Sequence, residues 1–217
     1  MSAPRLGIVP ALLLALTAVA QGQEPRLAGR VPEPARTQVN AILTAAHTGG
    51  LPTEPLIDRA LEGAAKGAPA AMIVAAVTRL RDELVQARSA FGETASTAEL
   101  TAGASALRAG ATAASLARLR AVRSGKPLTV AAAVMADLVA AGVPADTAVG
   151  AVLALASDAD DADYLTFRRN VQRDIALGAS PSAALAVRIR AAVSGADAAP
   201  SPGTGQTGPG VPRKRKP

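Results

Sequence analysis

The sequence predicts an all-α protein, and three observations carry that expectation. Alanine makes up about a quarter of the 217 residues, with Leu and Val supplying most of the remaining bulk and Arg outnumbering Lys. That mix favours helix over sheet. Apolar residues recur three and four apart over long stretches, and no window shows the alternation of a strand. The third observation is punctuation. Gly-x-Pro falls at Gly50/Pro52, Gly67/Pro69, Gly125/Pro127 and Gly142/Pro144, placing a helix-ending glycine just before a helix-opening proline.

The chain opens with one positive charge at Arg5, an apolar run from Leu6 to Ala20, and the small-x-small triplet Ala18-Val19-Ala20. This is the anatomy of a secretory signal peptide over residues 1–20; the run is shorter than a membrane-spanning helix and contains Pro10. Residues 21–36 hold three prolines and mixed charge without apolar period, and are expected to form a flexible linker. A single α-helical domain is expected over 37–194, with about eight short helices.

Within it, Ile73, Val77, Leu80 and Leu84 form one stripe on a helix expected from about Pro69 to Arg88. Ser96-Thr97-Ala98-Glu99 has the Ser-x-x-Glu form of a capping box and starts a helix through Leu100, Ala104 and Leu107. Leu116, Leu119 and Val122 mark the next, which ends before Gly125. Tyr164, Phe167, Val171 and Ile175 line another that stops at Gly178. Ser180-Pro181 opens the last, with Leu185, Ile189 and Val193 as its stripe. Residues 195–217, rich in Pro, Gly, Ser and Thr, cannot bury a core and are expected to be a disordered basic tail.

An internal repeat runs through this pattern. An offset of 75 residues carries Gly50, Pro52, Gly67 and Pro69 onto Gly125, Pro127, Gly142 and Pro144 without gaps. The repeated unit, 50–84 and 125–159, reads as an αα-hairpin with a tight loop, the building block of a small solenoid or an irregular bundle. Gly178-Ala179-Ser180-Pro181 is a looser third instance.

The net charge of +6 is unevenly spread. Without Arg5 and the four cations of the last five residues, 18 basic residues face 17 acidic ones, so the body is nearly neutral. There is no cysteine, hence no disulfide framework, and Phe91, Phe167 and Tyr164 are the only aromatics. So few rings weigh against sugar platforms and base-stacking surfaces.

Sites of chemistry are correspondingly scarce. His47, the only histidine, stands beside two glycines at a helix end, where a cation favours the dipole, and has no cysteine to share a metal with. Asp158, Asp160, Asp161 and Asp163 form a dense cluster of hard oxygen donors. As a calcium loop it fails, with Asp163 where Gly is required and Arg169 where a bidentate carboxylate belongs; capping of the following helix is the simpler account. Gly203-Thr204-Gly205-Gln206-Thr207-Gly208 matches the dinucleotide fingerprint by letter, but follows no strand and opens no helix. No serine-hydrolase elbow, phosphate loop or zinc-protease motif occurs, and neither a catalytic residue nor a cofactor or metal site is assigned. Arg213, Lys214, Arg215 and Lys216, four adjacent cations at the end of the tail, are the one candidate binding site, directed at polyanions.

These features together lead to an expectation of a non-enzymatic interaction or structural protein of the bacterial cell envelope, periplasmic or secreted, presenting a helical surface to a protein partner or to itself. The alternative is a polyanion-binding protein that holds anionic envelope lipid or nucleic acid through its basic tail.

Overall fold

The computed structural model describes residues 24–194, and these form an all-α fold. Nine α-helices are present among the described residues, one more than expected: α1 (Glu33–Thr48), α2 (Glu54–Ala65), α3 (Ala70–Phe91), α4 (Thr97–Arg108), α5 (Ala113–Val122), α6 (Thr129–Ala140), α7 (Ala145–Leu155), α8 (Asp161–Ala176) and α9 (Pro181–Val193). The chain divides into two compact units between Thr78 and Arg79, inside α3. The expected signal peptide over 1–20, the expected tail over 195–217 and the four cations Arg213, Lys214, Arg215 and Lys216 lie outside the described residues.

The linker expectation for 21–36 is corrected wherever it can be checked. Residues 21–23 are outside the described range, but Pro25–Leu27 form a 3-10 turn and α1 already begins at Glu33. Leu27, Val31 and Ala35 are buried with Val39 and Leu43 in the core of the first unit. The turn is tied down by the Arg26 guanidinium, which donates to both Glu54 carboxylate oxygens at 2.6 and 2.7 Å and to Glu24 at 2.9 Å. Prolines at the first turns of two short helical pieces, rather than in a coil, explain the misreading.

One loop geometry recurs along the chain. Four connections, over 66–69, 109–112, 141–144 and 177–180, have the same length and the same hydrogen bonds. In each, a glycine in the left-handed region (Gly67, Gly110, Gly142, Gly178) donates to a carbonyl three residues back, and the next residue donates five back. Gly67 N–H to Ala64 O and Ala68 N–H to Gly63 O, both 2.9 Å, recur as Gly142 to Val139 at 2.9 Å and Val143 to Leu138 at 3.0 Å. This is the Schellman closure. It makes hairpins of α2–α3, α4–α5, α6–α7 and α8–α9. The 75-residue offset superposes α2 on α6 and the start of α3 on that of α7, and it skips the hairpin between. Gly125 is not an equivalent of Gly50: Gly50 closes α1 in the same Schellman manner, whereas Gly125 sits in a longer connection after α5.

In the second unit the hairpins stack in order. First helices pack on first helices, α4 on α6 and α6 on α8; second helices do the same, α5 on α7 and α7 on α9. The result is a solenoid-like bundle centred on α6. Its Thr-Val-Ala-Ala-Ala-Val-Met-Ala-Asp-Leu-Val-Ala sequence is apolar on nearly every side, as a helix with neighbours all round must be. The one carboxylate, Asp137, accepts from Arg168 of α8 at 2.5 Å. Gly103 sits where α4 crosses the end of α3: a Cβ there would come within 2.7 Å of the Phe91 ring and 3.0 Å of Ala87. The α8 surface carries exposed Arg169, Gln172 and Arg173, where α6 at the same distances from its hairpin glycine has Ala133, Ala136 and Asp137. Polar outer faces of this kind end a repeat array.

Candidate functional site

The second unit has two places where side chains from several helices converge, one closed and one open. The closed one is built around Arg123, the residue that caps α5 and is 1% exposed. Its Nη1 donates to Ala159 O at 2.7 Å, Nε to Pro127 O at 3.2 Å and Nη2 to Asp161 Oδ1 at 3.1 Å. The guanidinium carbon lies 5.0 Å from the centroid of the Tyr164 ring, whose hydroxyl donates to Val152 O at 2.9 Å. Lys126 Nζ reaches Ser157 O at 2.9 Å alongside. One side chain thus fastens the α5–α6 connection to the α7–α8 connection, satisfying carbonyls that burial would otherwise leave without donors. All three guanidinium nitrogens donate within the protein, so Arg123 holds the stack together. Sequence reasoning passed it over because, in an arginine-rich chain, nothing local separates it from surface arginines.

The aspartate cluster belongs to this structural knot. Asp160 caps α8, its carboxylate accepting from Asp163 N–H at 2.9 Å while Asp163 accepts from Asp160 N–H. Asp161 pairs with Arg123, and Asp158 accepts from the Ser157 hydroxyl at 3.0 Å. No group of three His, Cys, Asp or Glu side chains arranged to hold a metal occurs among the described residues. His47 lies exposed in the last turn of α1. The tail cations and the Gly203–Gly208 run fall outside the described residues.

Carboxylates in this unit are tuned by their partners, which sets its pH dependence. Burial pushes Glu99 up, but hydrogen bonds from the Ser96 and Leu128 N–H groups outweigh it and hold the carboxyl below its ordinary value. The Asp163 N–H lowers Asp160, and the Arg188 guanidinium lowers Asp174. All three pKa values are lower folded than unfolded, so their stabilisation is complete above the unfolded values near 4 and is lost as pH falls through the folded ones. The urea midpoint should therefore hold from pH 7 to about 5 and drop at pH 3. An unchanged midpoint at pH 3 would contradict this reading.

The open place is a groove of about 400 Å³ between α5, α7 and the α4–α5 connection. Its floor is apolar and half-buried, formed by Ala111, Val149 and Leu153. Arg118 on α5 and Asp146 on α7 are exposed in its lining, and neither makes an ion pair among the described residues. Thr112 and Ser115 exchange the two hydrogen bonds of a capping box at 3.1 and 3.0 Å, so the start of α5 is already satisfied. Gly110 keeps the mouth tight: a Cβ there would stand 2.9 Å from that of Ala145.

Gly150 is the telling residue. It lies mid-helix in α7, where glycine costs about 1 kcal/mol relative to alanine, and a Cβ built on it meets nothing within 4 Å. No packing constraint in the fold calls for a glycine there; its effect is to leave the groove empty. The sequence carried no sign of this, because Gly150 follows Val149 in an ordinary apolar run. Comparison of the chain with protein-family models, with curated proteins and with solved structures finds no match in any of the three.

Proposed function

We propose that the protein is an exported, non-enzymatic interaction protein of the bacterial cell envelope, and that the α5–α7 groove receives a segment of a protein partner. The observation that carries the reading is Gly150, a destabilising residue whose effect is to keep an apolar groove open between two stacked helices. Grooves between stacked helical hairpins accept amphipathic segments by burying aliphatic anchors, with flanking charges setting orientation. A fitting segment carries one small aliphatic anchor over Gly150, an acidic residue toward Arg118 and a basic one toward Asp146. Export is supported by Arg5, the Leu6–Ala20 run and the Ala18-Val19-Ala20 triplet. No helix among the described residues is long and apolar enough to cross a membrane.

Two substitutions at one position test the groove. Gly150→Ala should raise stability by about 0.5–1 kcal/mol in urea unfolding, since it adds helix propensity without a clash. Gly150→Arg should fold equally well yet lose crosslinking capture of a defined partner from the native host's envelope fraction. Undiminished capture by Gly150→Arg would remove the groove from the account.

A further inference from the structure

Among the described residues, the α8–α9 hairpin combines exposed cations with exposed aliphatics. It holds three acidic residues, each already engaged: Asp161 with Arg123, Asp163 in the capping box and Asp174 with Arg188 at 2.6 and 2.8 Å. Of its five arginines, Arg168 pairs with Asp137 and Arg188 with Asp174. Arg169, Arg173 and Arg190 make no ion pair among the described residues and are exposed.

Those three cations share their faces with exposed aliphatics. Arg169, Arg173 and Leu177 follow one another at four-residue steps, away from the Tyr164–Phe167–Val171 face that is buried. On α9, Val187, Arg190 and Val193 are three apart, away from buried Ala184 and Leu185. Leu177 is 79%, Val187 55% and Val193 67% exposed, half of the large exposed hydrophobics among the described residues. Nine residues after the hairpin glycine, the positions equivalent to Val187 are Leu119 and Ala151, 0% and 6% exposed. The last hairpin thus bares a site that the stack fills in its earlier members.

We infer that this outer face of α8 and α9 docks on an anionic lipid surface. A further hairpin or a second copy would need a matching apolar face, and a two-fold contact would set these arginines against their own copies. Nucleic acid would take the arginines but gain nothing from Leu177, Val187 and Val193. A bilayer interface takes both, with aliphatics entering the headgroup boundary and guanidinium groups meeting phosphate.

The test is sedimentation of the full chain with vesicles of phosphatidylglycerol and phosphatidylcholine, against vesicles of phosphatidylcholine alone. At roughly fivefold per cation near an anionic surface, Arg169→Gln/Arg173→Gln/Arg190→Gln should weaken partitioning on the order of a hundredfold with the tail intact. Arg169→Lys/Arg173→Lys/Arg190→Lys should bind as the native chain does. Leu177→Ser/Val187→Ser/Val193→Ser should weaken binding without altering its salt dependence. Three outcomes would overturn the inference: a glutamine variant that binds undiminished, leaving the tail as the whole site; equal retention on neutral vesicles; or retention of duplex DNA without retention of vesicles.

Discussion

Arg123→Met is expected to lower the stability of the second unit by about 2–4 kcal/mol, the largest loss from any single substitution considered. Methionine fills much of the volume, but the carbonyls of Ala159 and Pro127 lose their donor and Asp161 its partner. A buried acceptor left without a donor costs about 1–3 kcal/mol, which is why the loss exceeds that of a surface arginine. Arg118→Met serves as the control, because Arg118 is exposed and unpaired, and it should fall within about 0.5 kcal/mol of the native chain. The readout is clean. The chain has one tyrosine and no tryptophan, and Tyr164 lies under the Arg123 guanidinium, so tyrosine emission during urea unfolding follows this unit alone. Equal midpoints for the native chain and Arg123→Met would show that the two connections are held by something else.

Gly103→Ala is the second large effect, and it runs against helix propensity. By propensity alone the change should stabilise α4 by about 1 kcal/mol. The added methyl, however, would stand 2.7 Å from the Phe91 ring and 3.0 Å from the Ala87 Cβ, so α3 and α4 must part or the ring must turn. Overpacking of this kind costs about 1–3 kcal/mol, and the net sign is destabilising. Phe91→Leu in the same chain should recover part of that loss, because a smaller side chain leaves room for the methyl; the two substitutions would then be non-additive. The contrast with Gly150→Ala is the point. Two mid-helix glycines, Gly103 and Gly150, give opposite signs because one meets a ring and the other meets open space.

How far the sequence could be read is clearest at the hairpin loops. Gly67-Ala68-Pro69 and Gly142-Val143-Pro144 were legible because proline advertises a helix start, and Gly178-Ala179-Ser180 because Ser-Pro follows. Gly110-Ala111-Thr112 closes its hairpin with the same hydrogen bonds but was missed, since threonine as a cap looks like any other threonine. The capping box at Ser96 and Glu99 was found from its spacing. Its second role was not, because the Glu99 carboxylate also accepts from Leu128 N–H at 3.0 Å, a contact 29 residues away. Residues 24–36 were misread for a related reason: proline density suggested coil, while the 3-10 turn that holds buried Leu27 packs on α2, a contact that no local spacing marks. The division inside α3 was invisible to periodicity, which continues through Val77 and Leu80 without a break.

The groove and the Arg123 knot were illegible in the strict sense. Each is assembled from separate helices, and no local spacing marks Arg118 with Asp146 or Arg123 with Ala159. What the sequence did foretell is the all-α fold, and the structure adds an open groove between α5 and α7.

The most direct test of the account is a photo-crosslinking amino acid placed at position 150 and, in a separate chain, at exposed Gln86 on α3, each expressed in the native host and irradiated in the cell. The account predicts one defined protein attached through position 150, absent from the Gln86 chain and lost when Arg118→Glu and Asp146→Lys reverse the flanking charges. Adducts that are the same from both positions, or none from position 150, would contradict it.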